Sequence, residues 1–272
     1  MAPRILHNRI KQKQIFVALA ILIIVACAHL ALAAPISFPT TNFAILNPDT
    51  GATIGQSRYS IQTVDGGAIL HGSSRYYDGQ SDVETGKLRL GVGDDLPKLV
   101  EFDHTFYNSD GSIQARAHAD LISGASICTT TTGGTTSDAS DVLQFPGDTW
   151  AGASIVIPIQ RFLSAGEKDL PSLHAFNCAP GPKIFELSLQ TDPGVAVWSP
   201  YGASVMRVEV RPDFGWLNMV VSAFVPRLHV WFDPGNGWAF VGDEAARYYQ
   251  GTKIMLVKSR GDSSTAQVGT TR

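Results

Sequence analysis

From Tyr59 onward, apolar and polar residues alternate in short runs broken by clusters of Gly, Asp, Asn and Ser. A period of two with breakers between runs predicts antiparallel strands rather than helices. The clearest run is 112–121, where Ile113, Ala115, Ala117, Ala119 and Leu121 fall on one face and Gln114, Arg116, His118 and Asp120 on the other. Such a strand is packed on one side and wet on the other. Its predicted partner is 98–107, joined through Asn108-Ser109-Asp110-Gly111, residue types that tolerate a tight reversal.

The same pattern predicts strands over 58–64, 68–76, 87–92, 154–163, 183–190, 204–211, 217–224, 227–232 and 253–258, with turn signals such as Asp65-Gly66-Gly67 and Asp233-Pro234-Gly235 between them. Helical periodicity is nearly absent, and only 242–249 could form a short helix. Residues 34–56, rich in Pro, Thr, Asn and Gly, read as a lead-in. Residues 129–140, almost wholly Thr, Gly, Ser and Asp, read as a mobile surface loop, and 261–272 as a disordered tail. The expected architecture is therefore all-β or mostly β. A single large curved antiparallel sheet, half-barrel or barrel, would span one domain over 57–260.

The N-terminal segment changes the setting. Arg4, Arg9, Lys11 and Lys13 precede an unbroken apolar run from Ile15 to Cys27, the order of a secretory signal. Ala31 and Ala33 supply the small residues a signal peptidase requires, which makes 1–33 a signal peptide cut before Ala34. Two alternatives stand beside it. Ile24-Val25-Ala26-Cys27 resembles the motif by which bacteria attach lipid to a Cys, and Ile15 to Ala34 is close to the roughly twenty residues of a membrane-spanning anchor. The expected location is periplasmic or secreted, or membrane-anchored through Cys27 or an uncleaved helix.

The chain carries 21 Lys plus Arg and 24 Asp plus Glu, and loss of the four N-terminal bases leaves 17 against 24, a formal charge near −7. That balance argues against nucleic acid or an anionic membrane surface as partner, with membrane association confined to the N-terminal segment. Cys128 and Cys178 are the cysteines left after export, and an oxidising compartment favours bridging them, with two separate buried thiols as the alternative.

No Gly-x-Ser-x-Gly elbow, phosphate loop, dinucleotide fingerprint, Cys-x-x-Cys or His-Glu-x-x-His occurs, so the sequence points to no cofactor and no metal. Arg116, His118 and Asp120, on one polar face beside Asp103 and His104, are the candidate catalytic group. A histidine among charges can run acid–base chemistry if it lines a cleft, and is otherwise part of a solvated sheet face. Aromatics crowd the C-terminal third; Trp231, Trp238 and Tyr248 are candidate ligand-binding residues, or else core.

The stretch Leu228-His229-Val230-Trp231-Phe232-Asp233-Pro234, followed by Gln250-Gly251-Thr252-Lys253-Ile254, resembles exported bacterial β-rich proteins of unknown function whose curved antiparallel sheet is akin to the lipoprotein-carrier half-barrel. The resemblance implies an envelope protein with a hydrophobic concavity and supplies no activity. The expected function is thus an exported cell-envelope protein binding a lipid or other apolar or amphipathic molecule. The alternatives are an assembly module pairing with an envelope protein, and a hydrolase or lyase acting on an extracellular polymer.

Overall fold

The structure, a computed structural model, describes residues 40–91, 95–167, 169–178, 181–192, 194–213, 228–247 and 251–259. The predicted signal segment with Cys27, the predicted strand over 217–224, Tyr248 and the 261–272 tail lie outside the described residues.

The described residues form one curved, open sheet of sixteen strands with a single short α-helix. Eight strands follow one another as a meander: β1 (Thr41–Leu46), β2 (Thr53–Val64), β3 (Gly67–Tyr76), β4 (Ser81–Arg89), β5 (Lys98–Tyr107), β6 (Ile113–Asp120), β7 (Ala125–Thr132) and β8 (Thr135–Val142). The second wing holds β9 (Thr149–Trp150), β10 (Leu173–Cys178), β11 (Pro182–Thr191), β12 (Ala196–Trp198), β13 (Ala203–Asp213), β14 (Leu228–Asp233), β15 (Ala239–Ala246) and β16 (Lys253–Lys258). The wings join where β1 pairs with β16, and all pairings are antiparallel except β9 with β10. The β5–β6 hairpin pairs Asp103 with His118 and Thr105 with Arg116.

Four expectations are corrected. The lead-in contains β1, and β1 is central: Phe43 and Ile45 are buried where it pairs with both β2 and β16. The predicted loop over 129–140 is instead most of the β7–β8 hairpin, because a Thr-rich run is β-branched and suits a pleated surface without any core to bury. Its reversal falls on Gly133 and Gly134, both with positive φ, as a two-residue hairpin turn requires.

The third correction is 154–163, predicted as a strand. It is a 3₁₀ turn (Gly152–Ile155) running into helix α1 (Val156–Ser164). Pro158 sits in the first helical turn, where its missing N–H costs nothing. Ile157, Pro158, Ile159, Phe162 and Leu163 are all buried, so the helix is apolar on most sides and shows no clean period of 3.6. Fourth, 242–249 is not the helix: Gly242 to Ala246 belong to β15, hydrogen-bonded on both sides by β14 and β16.

The sheet rolls up on itself. β9 lies against β5, β10 against β6, and β11 against β7 and β8. The end of the second wing is tucked inside the first, with Phe176 of β10 in edge contact with Phe102 of β5, ring centroids 6.3 Å apart. Cys178 follows on the same face of β10 and is disulfide-bonded to Cys128 of β7, with Cα atoms 5.6 Å apart. Its opposite face, through Leu173, Leu187 and Leu189, continues the core lining of Val208 and Val210. Among the described residues no helix is long and apolar enough to cross a membrane.

Candidate functional site

Strand β4 inverts the usual alternation. Val83 is 45% exposed, while Asp82 and Glu84 on the opposite face are 4% and 2% exposed. Cross-strand pairing sets His104 of β5 opposite Glu84, and the same inner face carries Tyr59 and Ser57 of β2 and Ser74 and Tyr76 of β3. From the other wing, a bulge at Val241 shifts β15 by one residue, so Asp243 turns toward this face. The result is a group of ionisable side chains inside the rolled sheet, framed by Phe43, Phe240 and Phe232.

Its polar contacts form a chain. The Tyr76 hydroxyl donates to Asp82 Oδ2 (3.2 Å), and Asp82 Oδ1 lies 3.3 Å from His104 Nε2. His104 Nδ1 is 3.7 Å from Glu84 Oε2, and Glu84 Oε1 accepts from the Ala153 backbone N–H (2.8 Å) at the turn before α1. Gly72 makes room for this: a Cβ there would stand 2.5 Å from the Tyr59 ring, which crosses β3 toward Glu84.

Burial raises the Glu84 carboxyl, helped by the negative charge of Asp82 and opposed by His104 and the Ala153 N–H. Burial also pushes Asp243 up to about 7, with Glu84 adding repulsion and the Leu256 N–H opposing. For His104, burial pulls down, but the carboxylates of Asp82 and Glu84 outweigh it and hold the imidazole above its ordinary range. Tyr59 is held well above the ordinary phenol range, first by burial and then by Glu84, Asp82 and Asp243. Yet Tyr59, His104 and Asp243 keep some accessible surface, 17% of the side chain for His104, so the group is not wholly sealed from water.

Three carboxyls and one imidazole in an apolar wall do not stabilise a fold, since buried charges cost more in desolvation than they return unless well matched. Here the acids repel one another and lack a full complement of positive charge. Among the described residues no group of three His, Cys, Asp or Glu side chains is placed to hold a metal ion.

The residues picked out from sequence are placed elsewhere. Arg116 donates to Asp103 Oδ2 through Nε (3.0 Å) and Nη2 (2.5 Å), and His118 Nδ1 lies 3.2 Å from the same oxygen without hydrogen-bond geometry. All three project from the outer face of β5 and β6, opposite to Phe102 and His104. Asp120 stands apart from them: it accepts from the Ser123 hydroxyl and the backbone N–H groups of Ile122 and Ser123, which hold its carboxyl below the usual range. It shapes the β6–β7 turn.

Trp231 is buried on the outer side of β14, stacked on Trp198 at 4.3 Å and 6°. Its neighbour Phe232 takes the inner position. Trp238 sits in the β14–β15 turn with φ of 60°.

At one end of the inner face, the Arg247 guanidinium lies 3.3 Å over the centre of the Tyr76 ring. Its side chain is 7% exposed; Nη1 donates to Gln80 Oε1 and lies 3.9 Å from Asp78 Oδ2, while Nε and Nη2 have no hydrogen-bond partner. Buried donors left bare cost about 1–3 kcal/mol each. No family model, curated protein or solved structure matches the chain.

Proposed function

We propose that this chain is an exported binding protein that takes an amphipathic ligand into the recess of its rolled sheet, with a cationic head against Asp82, Glu84 and Asp243 and an apolar part against Phe43, Phe232 and Phe240. The observation that carries this reading is the inversion at β4 together with Asp243. The acids occupy inner positions that a purely structural sheet would fill with Val or Leu, and burial first, then carboxylate repulsion, raises the carboxyls of Glu84 and Asp243, which a counter-charge would reverse. An ammonium head supplies that charge, and the acids then release protons as they ionise.

Export is the setting this reading assumes, with the protein free in the periplasm or outside the cell. The charged-then-apolar N-terminus supports it, as does the Cys128–Cys178 bridge, a bond that persists in oxidising compartments. The likeness of the C-terminal stretch to exported β-rich proteins points the same way. Arg116, His118 and Asp120 are not part of the proposal, because they project away from the recess.

The test is thermal. Octylammonium at pH 8 should raise Tm, as any ligand of the native state must, whereas octanol at the same concentration should not. Equal shifts would show that the apolar wall alone binds and remove the acids from the account. A second reading, assembly by strand addition, rests on β8, the terminal strand of the sheet order, which presents an open edge. Size-exclusion chromatography with a β8-edge Pro substitution at Ala139 would reveal it by loss of a larger species.

A further inference from the structure

The inversion at β4 also shapes the opposite side of the sheet. Because Asp82 and Glu84 point inward, none of the outward side chains of β2, β3 and β4 is acidic. Those strands instead expose Arg58 on β2, His71 and Arg75 on β3, and Lys87 and Arg89 on β4.

Cross-strand register gathers these side chains into a stripe. Arg58 stands opposite Ser73, which makes both His71 and Arg75 its diagonal neighbours. Diagonal neighbours on one sheet face lie roughly 7–8 Å apart. Further along, His71 lies opposite Thr85, two residues from Lys87, and Arg89 lies opposite Lys98 of β5. From Ser81 to Arg89 the stripe runs roughly 26 Å, at about 3.3 Å per residue. Lys87 is paired with Glu101 of β5, but among the described residues no ion pair or hydrogen bond engages the side chains of Arg58, Arg75 or Arg89. The chain as a whole is acidic, with 24 acids against 21 bases. Salt nonetheless confines the reach of each charge to about 8–10 Å, so an anion arriving here meets the field of the stripe.

The surrounding side chains select the kind of anion. Guanidinium forks take a carboxylate by both oxygens. Gln56, Ser60, Ser73 and Thr85 lie between the cations and offer the amide and hydroxyl groups that pair with sugar hydroxyls. The outward positions of these strands hold no Phe, Tyr or Trp on which nucleic-acid bases would stack. A lipid surface asks for more apolar side chain than the exposed Val64 and Val83 supply.

We infer that the outer face of β2–β4 binds an acidic polysaccharide, a single polymer chain lying along the stripe with its carboxylates on Arg58, Arg75 and Arg89. Its hydroxyls meet the Ser, Thr and Gln side chains between them. The site lies on the opposite side of the sheet from Glu84 and does not depend on the inner face binding anything.

The probe is decagalacturonate, titrated calorimetrically into the full protein at pH 7 at low and at physiological salt, with a neutral dextran oligomer of the same length as control. Decagalacturonate should bind, more weakly at the higher salt, and dextran should not. Arg58→Gln combined with Arg75→Gln should weaken binding at least about tenfold, the ratio for two exposed ion pairs lost together. Both side chains are exposed, so this variant should keep its urea midpoint. Arg116→Gln, which removes a guanidinium already held by Asp103, should leave binding as it was. Three results would each overturn the assignment: no binding of decagalacturonate, a double variant that binds it undiminished, or tighter binding of phosphatidylglycerol vesicles or of a single-stranded oligonucleotide of equal charge.

Discussion

Asp243→Asn should make the protein more stable at pH 8 and leave it unchanged at pH 4. The carboxyl stands near 3.8 in a solvated chain and at about 7 in the fold, first because it is enclosed and then because Glu84 faces it. Between those values the folded state holds a proton that the unfolded chain has given up, so stability falls as pH rises through the interval. The interval covers about three pH units at about 1.4 kcal/mol each, or about 4 kcal/mol. Recess water that still reaches the side chain screens part of this, which sets the expected penalty at about 2–4 kcal/mol above pH 7. Asn has nearly the same shape, can still accept the Leu256 N–H bond, and carries no charge. Urea unfolding of both proteins at pH 4, 5, 6, 7 and 8 should give curves that coincide at the acid end and diverge steadily toward pH 8. Parallel curves across the range would refute the placement of Asp243 in a poorly solvated acidic recess.

Three further outcomes follow from the geometry. Replacing Cys128 and Cys178 together by Ala should cost about 4 kcal/mol on the chain-entropy account of a loop of this length, read as a lower urea midpoint that dithiothreitol reproduces in the unmutated protein. Gly72→Ala should destabilise by about 1–3 kcal/mol, because the new methyl group meets the Tyr59 ring at 2.5 Å; a neutral result would mean that Tyr59 does not cross β3 there. Arg116→Ala and His118→Ala should each change stability by less than about 1 kcal/mol, the range of partly exposed ion pairs, and should leave octylammonium binding unaltered.

The strands were largely legible because most follow the rule that apolar positions face in. The β5–β6 hairpin, β2, β3, β11 and β13 all announce themselves this way, and the lone cysteine pair pointed to its bridge. Where that rule fails, sequence reading fails with it. β4 begins at Ser81, but its inward residues are Asp82 and Glu84 and its outward one is Val83, so the pattern looked like a strand only from Lys87. The same inversion that hid the strand hid the site.

In the sequence His104 stands out only as a neighbour of Asp103, and no spacing in the chain connects this group to Asp243, which comes to face Glu84 through rolling of the sheet and a bulge in β15. Arg116, His118 and Asp120 formed the visible charged row because they lie on the solvated face, where alternation is regular. The sequence of helix α1 reads as a strand because a segment buried on most sides presents neither period. Its apolar run, Ile155 to Ile159, is as compatible with a strand as with a helix until the sheet has closed around it.

The account stands or falls on what the recess binds. Titration of octylammonium into the protein at pH 8, in two buffers of different ionisation enthalpy, should show saturable binding with proton release. Glu84→Gln combined with Asp243→Asn should weaken it by at least about tenfold, the loss expected when a charge-assisted contact becomes a neutral one. An absence of binding, or an affinity that the double variant leaves intact, would contradict the assignment of the inner face as a ligand site for a cationic amphipath.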